Sequence, residues 1–167
     1  QIGNETNGKL CGESIWMNIY KLMAAGSKAV REVYPDALVA VHFANPEKSS
    51  NYLSWASKLD YYGLDYDVFA SSYYPYWHGT LENLQTTLSD IATKYNKKVM
   101  VAETSYAYTE EDTAFFGNTI GPGSGVTKSY PYTVQGQANS VRNIIETIAN
   151  TTNGIGVCYW EGTWITV

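Results

Sequence analysis

Apolar, β-favouring runs alternate along this chain with segments in which apolar residues recur at helical spacing. Each apolar run ends where polar or aromatic residues begin, which is typical of buried strands that lead into loops. The pattern predicts five strands separated by four helices. The predicted strands lie at 1–5, 38–44, 67–72, 97–103 and 154–160.

The helical segments carry their own start and stop signals. The first helix runs to Pro35, the second covers 51–62, and Thr80 and Thr133 are suitable N-caps for the third and fourth. The predicted inward-facing stripe of the fourth helix consists of Ala138, Val141, Ile145 and Ile148.

Strict alternation of strand and helix predicts a parallel sheet covered by helices, as either a doubly wound sheet or a (β/α)8 barrel. The polar and aromatic residues favour the barrel because they follow the strands, and the carboxyl ends of barrel strands share one mouth. These residues are Glu5, Asn45, the run 73–78, Glu103, Trp160 and Glu161. Five strands do not close a barrel, so we expect three further βα units before residue 1.

Composition narrows the class of partner. A chain of 167 residues with 44% hydrophobic residues forms one domain at most. A net charge of −5 with 11 scattered Lys and Arg argues against nucleic acid, and no apolar run is long enough to span a membrane. The chain has 15 Tyr and 5 Trp against 4 Phe, a bias that suits sugar-binding surfaces. Cys11 and Cys158 match no zinc pattern, and we expect two unpaired thiols.

Two strand-end glutamates are the strongest candidates for chemistry. Glu5 closes the first predicted strand and Glu103 closes the fourth. A carboxylate at the end of an apolar strand is costly to bury unless it is paired, although either one alone is also compatible with a surface acid. Placed on one barrel rim, they match the two carboxyl groups that a retaining glycosidase needs about 5–5.5 Å apart.

Further polar and aromatic residues surround this pair in the sequence. One of the phenols of Tyr73 and Tyr74 is expected to hydrogen-bond the nucleophile, while the other packs in the core. His42 is expected to be a satisfied barrel residue rather than a ligand. The predicted substrate-binding residues are Asn4, Tyr73, Tyr74, Trp77, His78, Trp160 and Glu161, although Asn4 also suits a turn and each Trp also suits a core.

Other catalytic motifs are absent from the sequence. It contains no Gly-rich phosphate loop, no serine nucleophile elbow and no HExxH zinc motif. The acidic run 110–112 is typical of a solvated surface. Calcium binding is the more specific alternative.

Five runs in this order resemble glycoside hydrolase family 53, the endo-β-1,4-galactanases. They are QIGNETN at 1–7, SSYYPYWHGTL at 71–81, ETSYAY at 103–108, YTVQGQA at 132–138 and YWE at 159–161. The resemblance implies a partial (β/α)8 barrel, with strands four to eight and helices four to seven of a single catalytic domain in 1–167. It implies Glu5 as acid/base, Glu103 as nucleophile, β-1,4-galactan of type I arabinogalactan in pectin as substrate, and secretion.

The chain departs from the family at two places. Some bacterial members carry a calcium site after the nucleophile, but here Ala114 and Phe116 stand where ligands are expected, so no cofactor is predicted. After Glu161 the chain continues Gly162-Thr-Trp164 instead of Pro-Ala-Trp. The alternatives to a galactanase are another β-glycanase of the same clan and a catalytically inert glycan-binding fragment.

Overall fold

The computed structural model describes residues 1–111, 119–121 and 123–160. Within these residues the chain forms four strands and four helices. In chain order they are α1 (Trp16–Val33), β1 (Ala40–Phe43), α2 (Ser49–Tyr61), β2 (Val68–Ser72), α3 (Leu81–Tyr95), β3 (Lys98–Thr104), α4 (Val134–Ala149) and β4 (Gly154–Tyr159). No helix in the described part of the chain is both long and apolar enough to cross a bilayer.

The strand order distinguishes between the two predicted architectures. All neighbouring strands are parallel, and their order in the sheet is β1-β2-β3-β4. A doubly wound sheet reverses its order at a switch point, whereas a barrel wall adds each new strand beside the previous one. The sequential order is therefore that of a barrel wall, as the positions of the polar residues predicted.

The first predicted strand, 1–5, is reduced to an isolated bridge. Ile2 pairs with Val41 in the parallel sense, and its backbone N–H donates to the carbonyl of Ala40 at 2.8 Å. Gly3 and Glu5 have positive φ angles of 73° and 43°, which interrupt the extended conformation that a continuous strand requires. The segment lies beside β1 at the edge of the sheet, but the prediction that 1–5 forms a regular strand is wrong.

The main core lies between the helices and one face of the sheet. Val41 and Phe43 of β1, Phe69 of β2, and Val99 and Val101 of β3 alternate along their strands and are fully buried. The rings of Phe43 and Phe69 stack with centroids 4.9 Å apart. Because side chains alternate across a strand, the residues between these apolar positions point to the opposite face, and several of them are polar.

The predicted caps of the third and fourth helices are confirmed. The Thr80 hydroxyl accepts from the backbone N–H of Asn83, and the Thr133 hydroxyl accepts from that of Gly136. Each bond satisfies a donor that has no partner inside its own helix.

The buried face of α4 differs from the predicted stripe. The helix buries Gly136, Ser140, Ile144 and Ile148. Ala138 is exposed and Ile145 is 51% exposed. Small residues define the true contact line because they let the helix approach the rest of the protein closely, whereas the sequence pattern emphasised large apolar side chains.

A second, smaller core holds the start of the long segment after β3. Tyr76, Tyr106 and Ile120 are buried in it, with Tyr130 and Tyr132 packed against them. The Tyr76 and Tyr106 rings stack at 5.0 Å, and the Tyr106 hydroxyl donates to the carbonyl of Tyr130 at 2.7 Å. These four tyrosines therefore serve a structural role here.

Both cysteines are exposed and unpaired, as predicted.

Candidate active site

An irregularity in the sheet positions Glu103. Ser71 of β2 pairs with Val101 of β3, but Ser72 pairs with Glu103, so Ala102 is an extra residue on β3. Residues paired across a sheet share a face, and a slip of one residue moves a side chain to the other face. Glu103 consequently joins Ser72 on the inner face instead of following Val101 into the core.

Backbone conformation positions Glu5. Its φ of 43° lies in the left-handed region, which costs a non-glycine residue on the order of 1 kcal/mol or more. The following residue secures this turn, because the backbone N–H and the hydroxyl of Thr6 both donate to the carbonyl of His42, at 2.9 and 3.1 Å. Glu5 is thereby held against β1.

The two glutamates meet at the carboxyl ends of the strands. One carboxylate oxygen of Glu5, one of Glu103 and a ring nitrogen of His42 all lie within 4.8 Å of one another. This distance is close to the separation of about 5–5.5 Å used for attack by one carboxylate on the sugar. It is well below the roughly 6.5–9.5 Å that leaves room for a water molecule between the two groups.

Tyr74 is the phenol that contacts Glu103. Its hydroxyl donates to Glu103 Oε1 at 2.6 Å, and such a bond orients the carboxylate. Tyr73 instead packs in the core and donates its hydroxyl to the carbonyl of Gly79 at 2.9 Å. Burial raises the pKa of Tyr73 above its usual value. The prediction that Tyr73 lines the substrate site is therefore not supported, and its core role is.

Ser72 hydrogen-bonds Glu5, as Tyr74 hydrogen-bonds Glu103. Its hydroxyl donates to Glu5 Oε1 at 2.6 Å and lies 2.9 Å from Nε2 of His42. Ser72 is not among the residues that the sequence singles out, because serine at a strand end is common. A signal was nevertheless present, since Ser72 precedes Tyr74 by two positions and residues so spaced on a strand share a face.

Both histidines of the chain are buried close to the carboxylates. Burial lowers the pKa of His42, and the nearby charge of Glu5 only partly opposes this effect. Burial also lowers the pKa of His78, whose Nδ1 accepts from the backbone N–H of Tyr74 at 3.0 Å. His78 thus supports the Tyr74 backbone, and both rings are neutral at neutral pH.

An open cleft of about 1330 Å³ surrounds the two carboxylates. Trp77 and Trp160 line it and are 46% and 50% exposed, so each indole has a face available to a ligand. Asn45 and the edge of His78 also line this cleft.

The remaining predicted site residues divide into two groups. Asn4 is exposed beside Glu5, and its Oδ1 lies 3.1 Å from Nδ1 of His42. Glu161, and the stretch Asp112–Asn118 that matches the family's calcium loop, lie outside the described residues. Of the acidic run, Glu110 forms an ion pair with Lys128.

Glu5, His42 and Glu103 form the one group of three metal-type ligands in the described part of the chain. Both ring nitrogens of His42 are already engaged, Nε2 with the Ser72 hydroxyl and Nδ1 with the Gln1 amide. The arrangement therefore suits a pair of catalytic carboxylates better than a metal centre.

Among enzymes built on strand–helix barrels, glycoside hydrolases need two acids at this separation within an aromatic cleft, and this chain has the architecture of that class. The chain belongs to glycosyl hydrolase family 53, whose model matches residues 1–167. This result confirms the family resemblance inferred from the five sequence runs.

Individual relatives agree with the family assignment. The chain is 54% identical to the endo-β-1,4-galactanase of Bacillus subtilis (strain 168), over 100% of this chain and 39% of that protein. It is 31% identical to the arabinogalactan endo-β-1,4-galactanase of Cellvibrio japonicus (strain Ueda107), over 99% of this chain and 46% of the relative. The chain thus spans less than half the length of these relatives.

A solved structure defines the complete fold. The chain superposes on the Ignisphaera aggregans GH53 catalytic domain with a TM-score of 0.89 at 34% identity, covering 99% of this chain and 48% of that one. The four parallel strands and their helices are therefore part of a (β/α)8 barrel.

Proposed function

We propose that the protein containing this chain hydrolyses internal β-1,4-galactosidic bonds in type I arabinogalactan with retention of configuration. The observation that carries this proposal is the approach of Glu5 and Glu103 to within 4.8 Å. Relatives named as galactanases support the choice of substrate. Residues 1–167 form only part of the catalytic domain, and we infer that the rest of the barrel lies elsewhere in the complete protein.

In the first step, Glu103 acts as the nucleophile. Its ionised carboxylate attacks the anomeric carbon, the bond to the leaving oxygen breaks, and Glu5 transfers its proton to that oxygen. The bond from Tyr74 to Glu103 supports this role because it orients the attacking carboxylate. The product of the step is a covalent galactosyl-enzyme and a shortened galactan chain.

In the second step, Glu5 acts as a base. It removes a proton from water, the water oxygen attacks the anomeric carbon, and the bond to Glu103 breaks. Both carboxyl groups then return to their starting protonation states. Trp77 and Trp160 offer stacking faces to sugar rings along the cleft, and Asn4 and Glu161 are further candidates for contacts with sugar hydroxyls.

We propose further that the side chains alone suffice for this reaction, without a cofactor. The partner is a neutral polysaccharide rather than nucleic acid or a membrane, and the enzyme acts outside the cell on the galactan of pectin. Removal of divalent cations with EDTA should leave galactan hydrolysis unchanged, and activity should be found in the culture medium of the producing organism.

Substrate comparison tests the proposed specificity. The complete enzyme is assayed on purified β-1,4-galactan, β-mannan and β-glucan, and the size distribution of early products is followed. Galactan should be cleaved fastest, with oligosaccharides of intermediate length appearing first. Equal or faster cleavage of mannan or glucan would assign the enzyme to another activity, and binding without cleavage would identify a glycan-binding protein.

The nucleophile is tested by substitution. Glu103→Ala in the complete enzyme should reduce turnover by about a thousandfold or more, because the covalent step is lost. With an aryl galactoside that carries a good leaving group, added azide should restore turnover and give the α-galactosyl azide. Glu47→Ala is the matched control, since Glu47 lies outside the carboxylate pair. This variant should hydrolyse galactan without added azide. Normal activity of Glu103→Ala would show that the nucleophile is misassigned.

A further inference from the structure

A chain of contacts leads away from Glu5 through two buried side chains. Ser72 donates to Glu5 Oε1 at 2.6 Å, and the Ser72 oxygen lies 2.9 Å from Nε2 of His42. On the other side of the ring, Nδ1 lies 3.0 Å from the amide nitrogen of Gln1. Ser72 is fully buried and His42 is 1% exposed, so the contact between these two side chains is shielded from water, whereas Gln1 at the outer end is exposed.

The chemistry of these groups gives the chain a direction. A serine hydroxyl has one hydrogen, and Ser72 gives it to Glu5, so the contact with His42 requires the hydrogen on Nε2. Nδ1 of the neutral ring then has a lone pair that accepts from the Gln1 amide. The second hydrogen of that amide serves Asn4 Oδ1 at 3.3 Å. Asn4 Oδ1 also lies 3.1 Å from Nδ1, but in this tautomer both atoms are acceptors and no hydrogen bond joins them. Every donor from Gln1 through His42 to Ser72 therefore points towards Glu5.

Neutrality of His42 is part of this arrangement. Burial lowers the pKa of the ring, so Nδ1 remains an acceptor at neutral pH. The backbone of His42 is also tied to the turn that carries Glu5, because the carbonyl of His42 accepts both bonds from Thr6, the residue after Glu5.

We propose that His42, acting through Ser72, is a positioning residue that dedicates one oxygen of Glu5 to the protein and leaves the other for the reaction. This proposal rests on the proposed function. With Oε1 occupied as an acceptor, Oε2 carries the acid proton in the first step and takes the proton from water in the second. A single oxygen thus serves both steps without rotation of the carboxyl group.

The test uses substrates that differ in their need for Glu5. Galactan has a poor leaving group and needs the acid, whereas a dinitrophenyl galactoside forms the galactosyl-enzyme without it. Ser72→Ala in the complete enzyme should lower kcat/KM on galactan about 10–100-fold, the range for a lost hydrogen bond to a charged group. On the dinitrophenyl galactoside kcat/KM should change little. Added azide should raise the turnover of this substrate by Ser72→Ala and yield the β-galactosyl azide, because azide, unlike water, attacks the galactosyl-enzyme without help from a base.

Matched variants separate positioning from folding. Ser71→Ala is the control for Ser72→Ala, because Ser71 is equally buried but its hydroxyl bonds Tyr52 and the Ser72 carbonyl instead of Glu5. It should leave the ratio of the two substrates unchanged. His42→Leu should reproduce the Ser72→Ala pattern, whereas His42→Gln, which retains an N–H donor, should recover much of the galactan activity. These two variants decide the matter if Ser72→Ala does not fold.

Glu5→Ala is the reference for interpreting failure. If Glu5→Ala shows the galactan loss and azide effect but Ser72→Ala and His42→Leu lower both substrates equally, the positioning role is overturned and the two residues are merely structural. If Glu5→Ala itself lacks this pattern, or the parent enzyme does not cleave galactan, the proposed function fails instead.

Discussion

Two adjacent tyrosines show how single residues are assigned to core or site. Tyr73 and Tyr74 are chemically identical and follow the same strand, yet one hydroxyl donates to the Gly79 carbonyl and the other to Glu103. Alternation along extended chain sends consecutive side chains to opposite sides. The sequence predicted that the two phenols would divide in this way, and alternation along β2 explains their order, since Tyr73 lies two residues after Ser71 and four after Phe69 on the core side.

We predict different consequences for the loss of each hydroxyl. Tyr74→Phe in the complete enzyme should lower kcat about 10–100-fold, because a bond to a charged carboxylate contributes roughly 1.5–3 kcal/mol. Tyr73→Phe should leave kcat near that of the parent and lower the free energy of unfolding by about 1 kcal/mol, the value of a neutral hydrogen bond. Steady-state kinetics and urea unfolding of both variants provide the check. Equal kinetic effects would contradict the assignment.

At the scale of elements, the sequence was most informative where periodicity was long and least where backbone geometry was unusual. The four helices and β1 to β4 lie within roughly two residues of their predicted ends. The segment before Glu5 was mistaken for a regular strand because its positive φ values occur at a glutamate and a glycine whose conformations are set by tertiary bonds. The predicted buried face of α4 differs from the observed one because Gly136 and Ser140, which are buried, contribute little to a hydrophobic pattern.

Gly136 allows a sharp test of this helix. A Cβ at this position would lie 1.8 Å from the carbonyl oxygen of Pro131, which is backbone and cannot yield easily. Alanine normally stabilises a helix by about 1 kcal/mol relative to glycine, but Gly136→Ala should instead destabilise the protein by about 2 kcal/mol or more.

The exposed Ala138 of the same helix supplies the control. Ala138→Gly removes a side chain where nothing crowds it, so it should cost only the propensity difference of about 1 kcal/mol. Thermal unfolding measures both variants. A stabilising Gly136→Ala would mean that the helix does not approach Pro131 as described.

For the whole molecule, the order of elements was predictable and the completion of the site was not. Alternating apolar runs predicted a parallel sheet covered by helices, and the polar residues at the strand ends favoured a barrel over a doubly wound sheet. The carboxylate pair was also predictable, since each acid ends a predicted strand, although the structure reduces the one before Glu5 to an isolated bridge. The contacts that prepare the pair, from Ser72 and His42, join β1, β2 and the segment before Glu5, and long-range contacts of this kind leave no short-range pattern.

The two buried histidines make the stability of the whole fold pH-dependent. Their pKa values are lowered from 6.5 in the folded protein, so below pH 6.5 the unfolded chain binds protons that the folded protein does not. Stability should be complete above pH 6.5 and decline as the pH falls below it, by at most about 1.4 kcal/mol per pH unit for each histidine. Melting temperatures between pH 7.5 and 5 measure this slope.

A variant identifies the source of the slope. His78→Asn retains an acceptor for the backbone N–H of Tyr74 but does not titrate, so the decline should become shallower by the share of one histidine. An unchanged slope would attribute the pH dependence to other groups. The carboxylate of Asp65 does not interfere in this range, because Arg31 lowers its pKa below its usual value of 3.8.

The extra residue at Ala102 separates two requirements that a regular strand could not meet together. The lower part of β3 must keep Val99 and Val101 in phase with the helices, while its end must turn Glu103 inward. The irregularity shifts the alternation of side chains between the part of β3 that packs in the core, with Val99 and Val101, and the end of β3 that carries Glu103. Deletion of Ala102 should therefore return Glu103 to the phase of Val101 and separate its carboxylate from that of Glu5.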